Sequence, residues 1–432
     1  MRISGVTLNK EVEENDYENP TVIEFKNIEN FFEAYSSKKG RPITKWEDVT
    51  VSHTALQSLL TGNSEQFSSV LSELKQWAGS KNKKIILRDK KGVERLITSY
   101  LQLSEKDIDP IEIYAYYIGS YINNMRNGIY LEYYLSFPVN YEMEIRNKIL
   151  QSFERGIKKS LPVSILNNEI IMRKFNVKHG ASEPAAYSAC ALQKYGFEPE
   201  DDEKIYYSVF DFGGGTTDFD FGIWKMSEDD ESYDYDLEHF GAGGDRYLGG
   251  ENILKELAYE VFKKNQKILR EKEISFARPE WCERFIGDEL LVDFSKEANL
   301  NLRQLAEKLR GLWENSEEKI EEESLKINLF NKKGVQEIGV NLEIEVDSLE
   351  RLIEKKIENG IKNFFNSMEK AFRNEEVNNL NILLAGNSCK HPYVKKAFEI
   401  EITTRGISAE IYPPLGTTES IIKLKEKGIE VD

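Results

Sequence analysis

The sequence predicts an α/β protein folded as two lobes, and three observations carry that expectation. The first is length: 432 residues exceed what one hydrophobic core uses, so the chain divides into lobes with separate interiors. The second is pattern, because short apolar runs bounded by Gly, Pro and Asn alternate with stretches whose apolar residues recur at helical spacing, as α/β layers require. The third is composition, with 40% hydrophobic and 31% charged residues, inside the globular range and away from the disordered one.

The same counts exclude several functions. Lys and Arg number 58 against 75 Asp and Glu, a formal net charge of −17, which repels nucleic-acid backbones and anionic lipid alike. No nucleic-acid or membrane partner is expected. The three cysteines (Cys190, Cys282, Cys389) and four histidines (His53, His179, His239, His391) show no metal-ligand spacing, so no structural zinc site is expected. The N-terminal MRISGVTLNKEVEEND lacks an apolar signal segment and no uncharged run is long enough for a bilayer. A cytoplasmic location is the expectation.

Thr21 to Phe25 is the first strand candidate, after a polar, irregular start. From Ser52 to Trp77 the apolar positions fit two helices around Gly62-Asn63, and Ile85 to Leu87 reads as a strand. After Asp109-Pro110, the stretch IEIYAYYIGSYINNM is a buried helix. Leu131 to Phe137 is a strand stopped by Pro138, Glu142 to Ile157 a helix, Glu169 to Val177 a strand, and Ala185 to Tyr195 a small-residue helix closed by Gly196. The charged connector Glu198 to Lys204 marks the lobe boundary. This gives lobe I as residues 1–202 and lobe II as 203–412, with 413–432 returning to lobe I. The acidic runs Ser227 to Asp236 and Glu317 to Glu323 are solvated faces.

Three glycine clusters carry the chemistry. In IYYSVFDFGGGTTDFDFGIW, Ile205 to Trp224, an apolar strand runs into Asp211, then three glycines and two threonines, and a second strand leaves from Asp218. Glycines in such a hairpin turn let backbone N–H groups converge on an anion, and a carboxylate at each end can order the water shell of Mg²⁺. No Lys follows the glycines and a strand stands where a Walker loop needs a helix. The second cluster, Gly241 to Glu251, opens into a helix whose N-terminus, with free amides, suits a phosphate or sugar. The third, NILLAGNS at Asn381 to Ser388, is an apolar strand stopping at Gly386 before a helix near Pro392, the kind of turn at which open α/β sheets bind ligands.

Together these elements resemble the 70-kilodalton heat-shock protein (DnaK-type chaperone) family and its wider actin-like ATPase superfamily. DFGGGTTD at Asp211 to Asp218 is similar to that family's second phosphate motif, LGGEN at Leu248 to Asn252 to its loop-to-helix element in lobe II, and LAGNSCKHP at Leu384 to Pro392 to its adenosine motif. Ser182-Glu183-Pro184 resembles the connecting segment that contributes a catalytic glutamate, and SELKQWAG at Ser72 to Gly79 puts Lys75 where the family keeps its catalytic lysine. The resemblance runs from about Pro20 to Thr418 and implies a two-lobed actin-like ATPase (ribonuclease H-like) fold that binds ATP or ADP with Mg²⁺. It implies that Asp211 and Asp218 hold Mg²⁺ through water, that Gly213, Gly214, Gly215, Thr216 and Thr217 lie against the phosphates with Gly249 and Gly250 nearby, and that Gly386, Asn387 and Ser388 meet the adenosine. Glu183 would order water and Lys75 would neutralise charge on the transferred phosphoryl group. LRQLAEKLRGLWE at Leu302 to Glu314 resembles the adenine-contacting helix, with Glu307 on the ribose side and Arg310 at the base.

Two departures bear on activity. The family opens with a strand carrying an Asp-x-Gly-Thr phosphate loop, a pattern that residues 1–75 do not contain. Each preorganised donor lost at such a site costs about 10²- to 10³-fold in rate, so the expectation is an N-terminally incomplete fold and a slow or inactive ATPase. No peptide-binding β-domain is expected after Pro413-Pro414. The alternative is a catalytically silent nucleotide-sensing or protein-interaction scaffold with unidentified protein partners, and a sugar or acetate kinase of the same superfamily stands third.

Overall fold

The computed structural model describes Ser4 and residues 19–61, 68–80, 83–104, 107–125, 128–139, 141–227, 234–314 and 323–430. It is a mixed α/β structure with several sheets. By packing, the chain forms two compact units, one of Met1–Phe137 with Tyr141–Gly180, the other of Pro138–Asn140 with Ala181–Asp432. Each is described in turn.

In the first unit, β1 (Ile23–Phe25) lies between β2 (Val49–Val51) and β3 (Val70–Leu71), antiparallel to both. The second of the two helices expected before Trp77 is therefore cut short: Val70 and Leu71 pair with Glu24 and Ile23, and the helices are His53–Thr61 and Leu74–Gly79. Glu24 breaks the apolar run and is fully buried, yet it keeps partners in Lys90 at 2.7 Å and in the Thr50 and Ser58 hydroxyls at 2.8 and 3.0 Å. A hairpin of β4 (Ile85–Arg88) and β5 (Glu94–Ile97) follows.

The helices Pro110–Met125 and Met143–Ser160 stand where the pattern puts them. They pack closely because Gly156 has no side chain; a Cβ there would lie 2.2 Å from the Glu112 carbonyl oxygen. The strand β6 (Glu132–Phe137) pairs with β7 (Asn176–Ser182). The segment expected as a strand from Glu169 begins instead with the one-turn helix Glu169–Met172, because the Asn168 side chain accepts from the amides of Ile170 and Ile171. Local capping overrides the β-propensity of the Ile pair, and pairing with β6 starts only at Asn176.

The second unit is built on a five-stranded sheet formed by β8 (Ile205–Phe212), β9 (Thr217–Met226), β10 (Tyr235–Asp245), β13 (Leu380–Ala385) and β14 (Ala409–Tyr412), in the order β10-β9-β8-β13-β14. The first three strands are antiparallel neighbours, whereas β13 runs parallel to β8 and β14 parallel to β13. A separate hairpin, β11 (Ser324–Phe330) with β12 (Gln336–Glu343), packs with the helices Gly250–Lys264 and Lys296–Glu314. The second of these helices ends at Glu314, and Leu325 belongs to β11.

Alternation along β8 and β9 sorts the side chains by face. Phe210, Phe212, Phe219 and Phe221 form a buried aromatic layer with Phe364, Phe365 and Phe398 of the helices Val346–Ala371 and Pro392–Arg405. Tyr207, Val209 and Trp224 face the other way, into a core shared with Leu192 and Tyr195 of the helix Glu183–Lys194. That helix joins the second unit through this core, so the units divide at Gly180–Ala181 and not at the charged connector 198–204. Residues 413–430 also pack here, where the Leu415 amide donates to the Tyr187 hydroxyl at 3.1 Å and Leu424 completes the same core.

Candidate functional site

The β8–β9 register sets Asp211 directly opposite Asp218 and Phe212 opposite Thr217. The turn between them is closed by the Gly213 amide, which donates to the Thr216 carbonyl at 2.9 Å. Like charges directly opposite in a sheet are destabilising, so the aspartate pair is a cost that packing alone does not call for. Asp218 is buried and accepts from the Val139 amide at 2.9 Å and the Thr216 hydroxyl at 3.1 Å, while Asp211 is partly exposed.

The turn is held from below by its carbonyl groups. Gly213 accepts from the Gly250 amide at 3.1 Å and from the Ser388 hydroxyl at 2.9 Å; Gly214 accepts from the Glu251 amide at 2.8 Å; Gly215 accepts from the Asn252 side chain at 2.7 Å. All three glycine carbonyls thus point into the protein. The amides of Gly214, Gly215 and Thr216 have no acceptor among the described residues. A turn whose carbonyls are bonded and whose amides are open is a concave donor surface suited to an anion.

Glycine is required around this turn for space. A Cβ on Gly249 would stand 2.4 Å from the Gly214 carbonyl oxygen, one on Gly250 2.6 Å from the Ser388 hydroxyl, and one on Gly386 2.3 Å from the Phe212 carbonyl oxygen and 2.7 Å from Asp211 Oδ1. Gly386 also has φ +80°, which L side chains disfavour. The turn, the start of the Gly250–Lys264 helix and the end of β13 therefore converge.

Two expectations are corrected. The helix opened by Gly250 does not present free first amides, because those of Gly250 and Glu251 are given to the turn's carbonyls. Gly241 to Asp245 form the end of β10, paired with Phe221 through Thr217. Thr217, expected against the phosphates, is fully buried with its hydroxyl on the Leu248 carbonyl at 2.7 Å. It locks the turn to the helix and offers no hydroxyl outward. Asn387 is exposed beside buried Ser388.

Glu183 is the first residue of its helix, capped by the Ser182 side chain, which accepts from the Ala185 amide. Lys75 belongs to the first unit, on the Leu74–Gly79 helix, with an exposed side chain and its carbonyl bonded by the Tyr141 hydroxyl. Glu307 and Arg310 do come together. The Arg310 guanidinium meets Glu251 at 2.8 and 3.0 Å and Glu307 at 2.9 Å, with Glu314 at 3.4 Å. Hydrogen bonding to Glu307 foremost drives its pKa further up, against burial. Burial pushes the Glu307 carboxyl up, but Arg310 outweighs it and leaves the group lowered.

Sequence reasoning missed two clusters. Tyr207, Asp220 and His239 sit on adjacent strands, with the tyrosine hydroxyl donating to Asp220 at 2.9 Å and His239 Nδ1 at 3.1 Å from the same carboxylate. Gly222 makes room for it, since a Cβ would stand 2.7 Å from the Tyr207 hydroxyl. Only Asp220, a carboxylate alternating with phenylalanines, signalled it. Trp313 and His391 pack ring on ring at 4.9 Å, joining the Lys296–Glu314 helix to the segment after β13. No pattern marks that pair.

Among the described residues no group of three or more His, Cys, Asp or Glu could hold a metal directly, and no helix is long and apolar enough to cross a membrane. No family model matches the chain, and no curated protein matches it.

Proposed function

We propose that the second unit binds the phosphates of ATP or ADP at the Gly213–Thr216 turn, as an ATPase-like domain of DnaK type with an actin-like (ribonuclease H-like) fold. One observation carries the reading: the amides of Gly214, Gly215 and Thr216 are left without acceptors while every glycine carbonyl of the turn is bonded inward. An acidic chain has to hold polyphosphate through such amides and through a cation. Asp211 and Asp218, opposed across the hairpin, would hold Mg²⁺ through water, and the ion would supply charge neutralisation to the phosphates. The mixed sheet, three antiparallel strands continued by two parallel ones, is compatible with that fold.

Slow turnover, or none, is the expected behaviour. A scaffold that binds nucleotide without hydrolysing it is favoured by the Arg310 cluster, in which three carboxylates hold the one guanidinium. Calorimetry with Mg-ATP followed by a phosphate-release assay separates the readings. Binding with turnover that Asp211→Ala abolishes supports the enzyme; binding without turnover supports the scaffold. If neither ATP nor ADP binds at about 1 mM, near −4 kcal/mol, both fail.

A further inference from the structure

The first unit contains a cavity of about 340 Å³ between the Met143–Ser160 helix and the residues Leu101, Leu103, Ser104 and Asp109. That volume is in the range of small-molecule sites. Its helical wall is formed by Glu144, Asn147, Lys148, Gln151 and Arg155, spaced by three, one, three and four residues, which is a single stripe along one helix face. Leu101 and Leu103 line the opposite side, where their carbonyls take the Lys148 ammonium, and the Leu103 side chain is buried in the core of the unit.

Lys148 and Arg155 of this stripe are anchored by other groups and keep donors unused. Lys148 Nζ donates to the Leu101 and Leu103 carbonyls at 2.9 and 2.8 Å, so one of its three hydrogens remains. Arg155 spends Nε on Glu112 at 2.6 Å and Nη2 on Asp109 at 2.8 Å, and its Nη1 has no partner among the described residues. The side-chain amides of Asn147 and Gln151 are likewise without partners there. Asp109 also lines the cavity, but its carboxylate is saturated by Arg155, the Ser152 hydroxyl and the amides of Ile111 and Glu112. Four donor groups, two of them cationic, therefore line the space; of its two carboxylates, Asp109 is saturated and Glu144 is exposed and without a partner among the described residues.

We propose that this cavity binds a small monocarboxylate carrying an amine or hydroxyl beside its carboxyl group, as in an α-amino or α-hydroxy acid. The carboxylate takes the donors of Lys148, Arg155, Asn147 and Gln151. Glu144 accepts from the neighbouring amine or hydroxyl and repels a second anionic group. Charge-assisted hydrogen bonds of this kind are the strong ones. The site lies wholly in the first unit and is independent of the nucleotide reading.

Saturation-difference NMR on the full chain with L-alanine, lactate, propionate and L-alanine methyl ester tests this. Saturable binding of alanine or lactate is expected with a dissociation constant of about 1 mM. Propionate, lacking the second donor, should bind about 5-fold more weakly, and the ester, lacking the anion, should not bind. Asn147→Ala with Gln151→Ala, both exposed and without a side-chain hydrogen bond among the described residues, should weaken alanine about 10-fold with the urea midpoint unchanged. Glu144→Gln should narrow the difference between alanine and propionate. Absence of saturable alanine and lactate binding up to about 20 mM, equal binding of the ester, or unaltered alanine binding in the double variant would each overturn the proposal.

Discussion

Gly249→Ala probes the contact that sets the position of the glycine turn. Gly249 has φ −157°, an extended conformation that any residue adopts, so the substitution brings no backbone strain and acts by volume alone. The added Cβ would lie 2.4 Å from the Gly214 carbonyl oxygen, 2.5 Å from the Gly215 carbonyl carbon and 2.6 Å from that of Gly214. Non-bonded atoms settle at about 3.5 Å, so a displacement of about 1 Å is required. No flexible side chain can give way, because all the obstructing atoms are backbone and the turn's carbonyls are tied to Gly250, Glu251 and Asn252. Overpacking of this kind costs about 1–3 kcal/mol, which urea denaturation reads as a lower midpoint. A turn displaced by about 1 Å loses up to about 10²-fold in any rate that depends on it. Gly128→Ala is the control, since a Cβ there meets nothing within 4 Å. Parental Mg-ATP affinity together with a parental urea midpoint in Gly249→Ala would refute the idea that this lock positions the site.

The two aspartates of the hairpin should separate by readout. Asp218→Ala strips the Val139 amide of its buried acceptor and should cost about 1–3 kcal/mol in urea unfolding, whereas Asp211→Ala, at a partly exposed position, should lower Mg-ATP binding with a smaller loss of stability. The two histidines should act with opposite sign on pH. Hydrogen bonding to Asp220 raises His239 above its ordinary 6.5, so its contribution is complete below that value and is lost as pH climbs through the higher folded pKa; His239→Gln should remove this loss, seen in urea midpoints on the alkaline side of about pH 6.5. Burial lowers His391 to about 4, so its neutral form favours folding above 6.5 and that contribution is lost as pH falls toward 4; His391→Phe should flatten the acid limb of the same titration. Of the three free thiols only Cys190 is exposed, while burial pushes Cys282 up to about 12 and Cys389 higher still. Ellman's reagent should titrate one thiol in the native protein and three in urea; fast reaction of a second native thiol would contradict this burial.

Much of the second unit was legible because its sequence is locally consistent. The run Ile205 to Phe212, the three glycines and the alternating Phe219 and Phe221 specify a hairpin through spacing alone, and Asn381 to Gly386 specifies a strand with a tight exit. In the first unit, Val70-Leu71 and Ile170-Ile171 were misassigned for complementary reasons. The first pair is drawn into a strand by Glu24 and Ile23, which lie far away in sequence; the second is drawn into a helical turn by one side chain, Asn168. Neither partner is visible from periodicity.

The candidate site divides the same way. The sequence by itself determined that carboxylates flank a glycine turn, that a second glycine cluster opens into a helix, and that the strand from Asn381 ends in a tight turn at Gly386. Only the tertiary structure decided which way the turn's peptide groups point. The helix amides thought open to a ligand are spent on the turn's carbonyls, Thr217 is turned inward to Leu248, and Arg310 is shared between Glu251 and Glu307. The physical reason is that a residue's type sets what it can donate or accept, whereas long-range packing sets which of those capacities is already used. Here packing consumes every glycine carbonyl of the turn and leaves its amides.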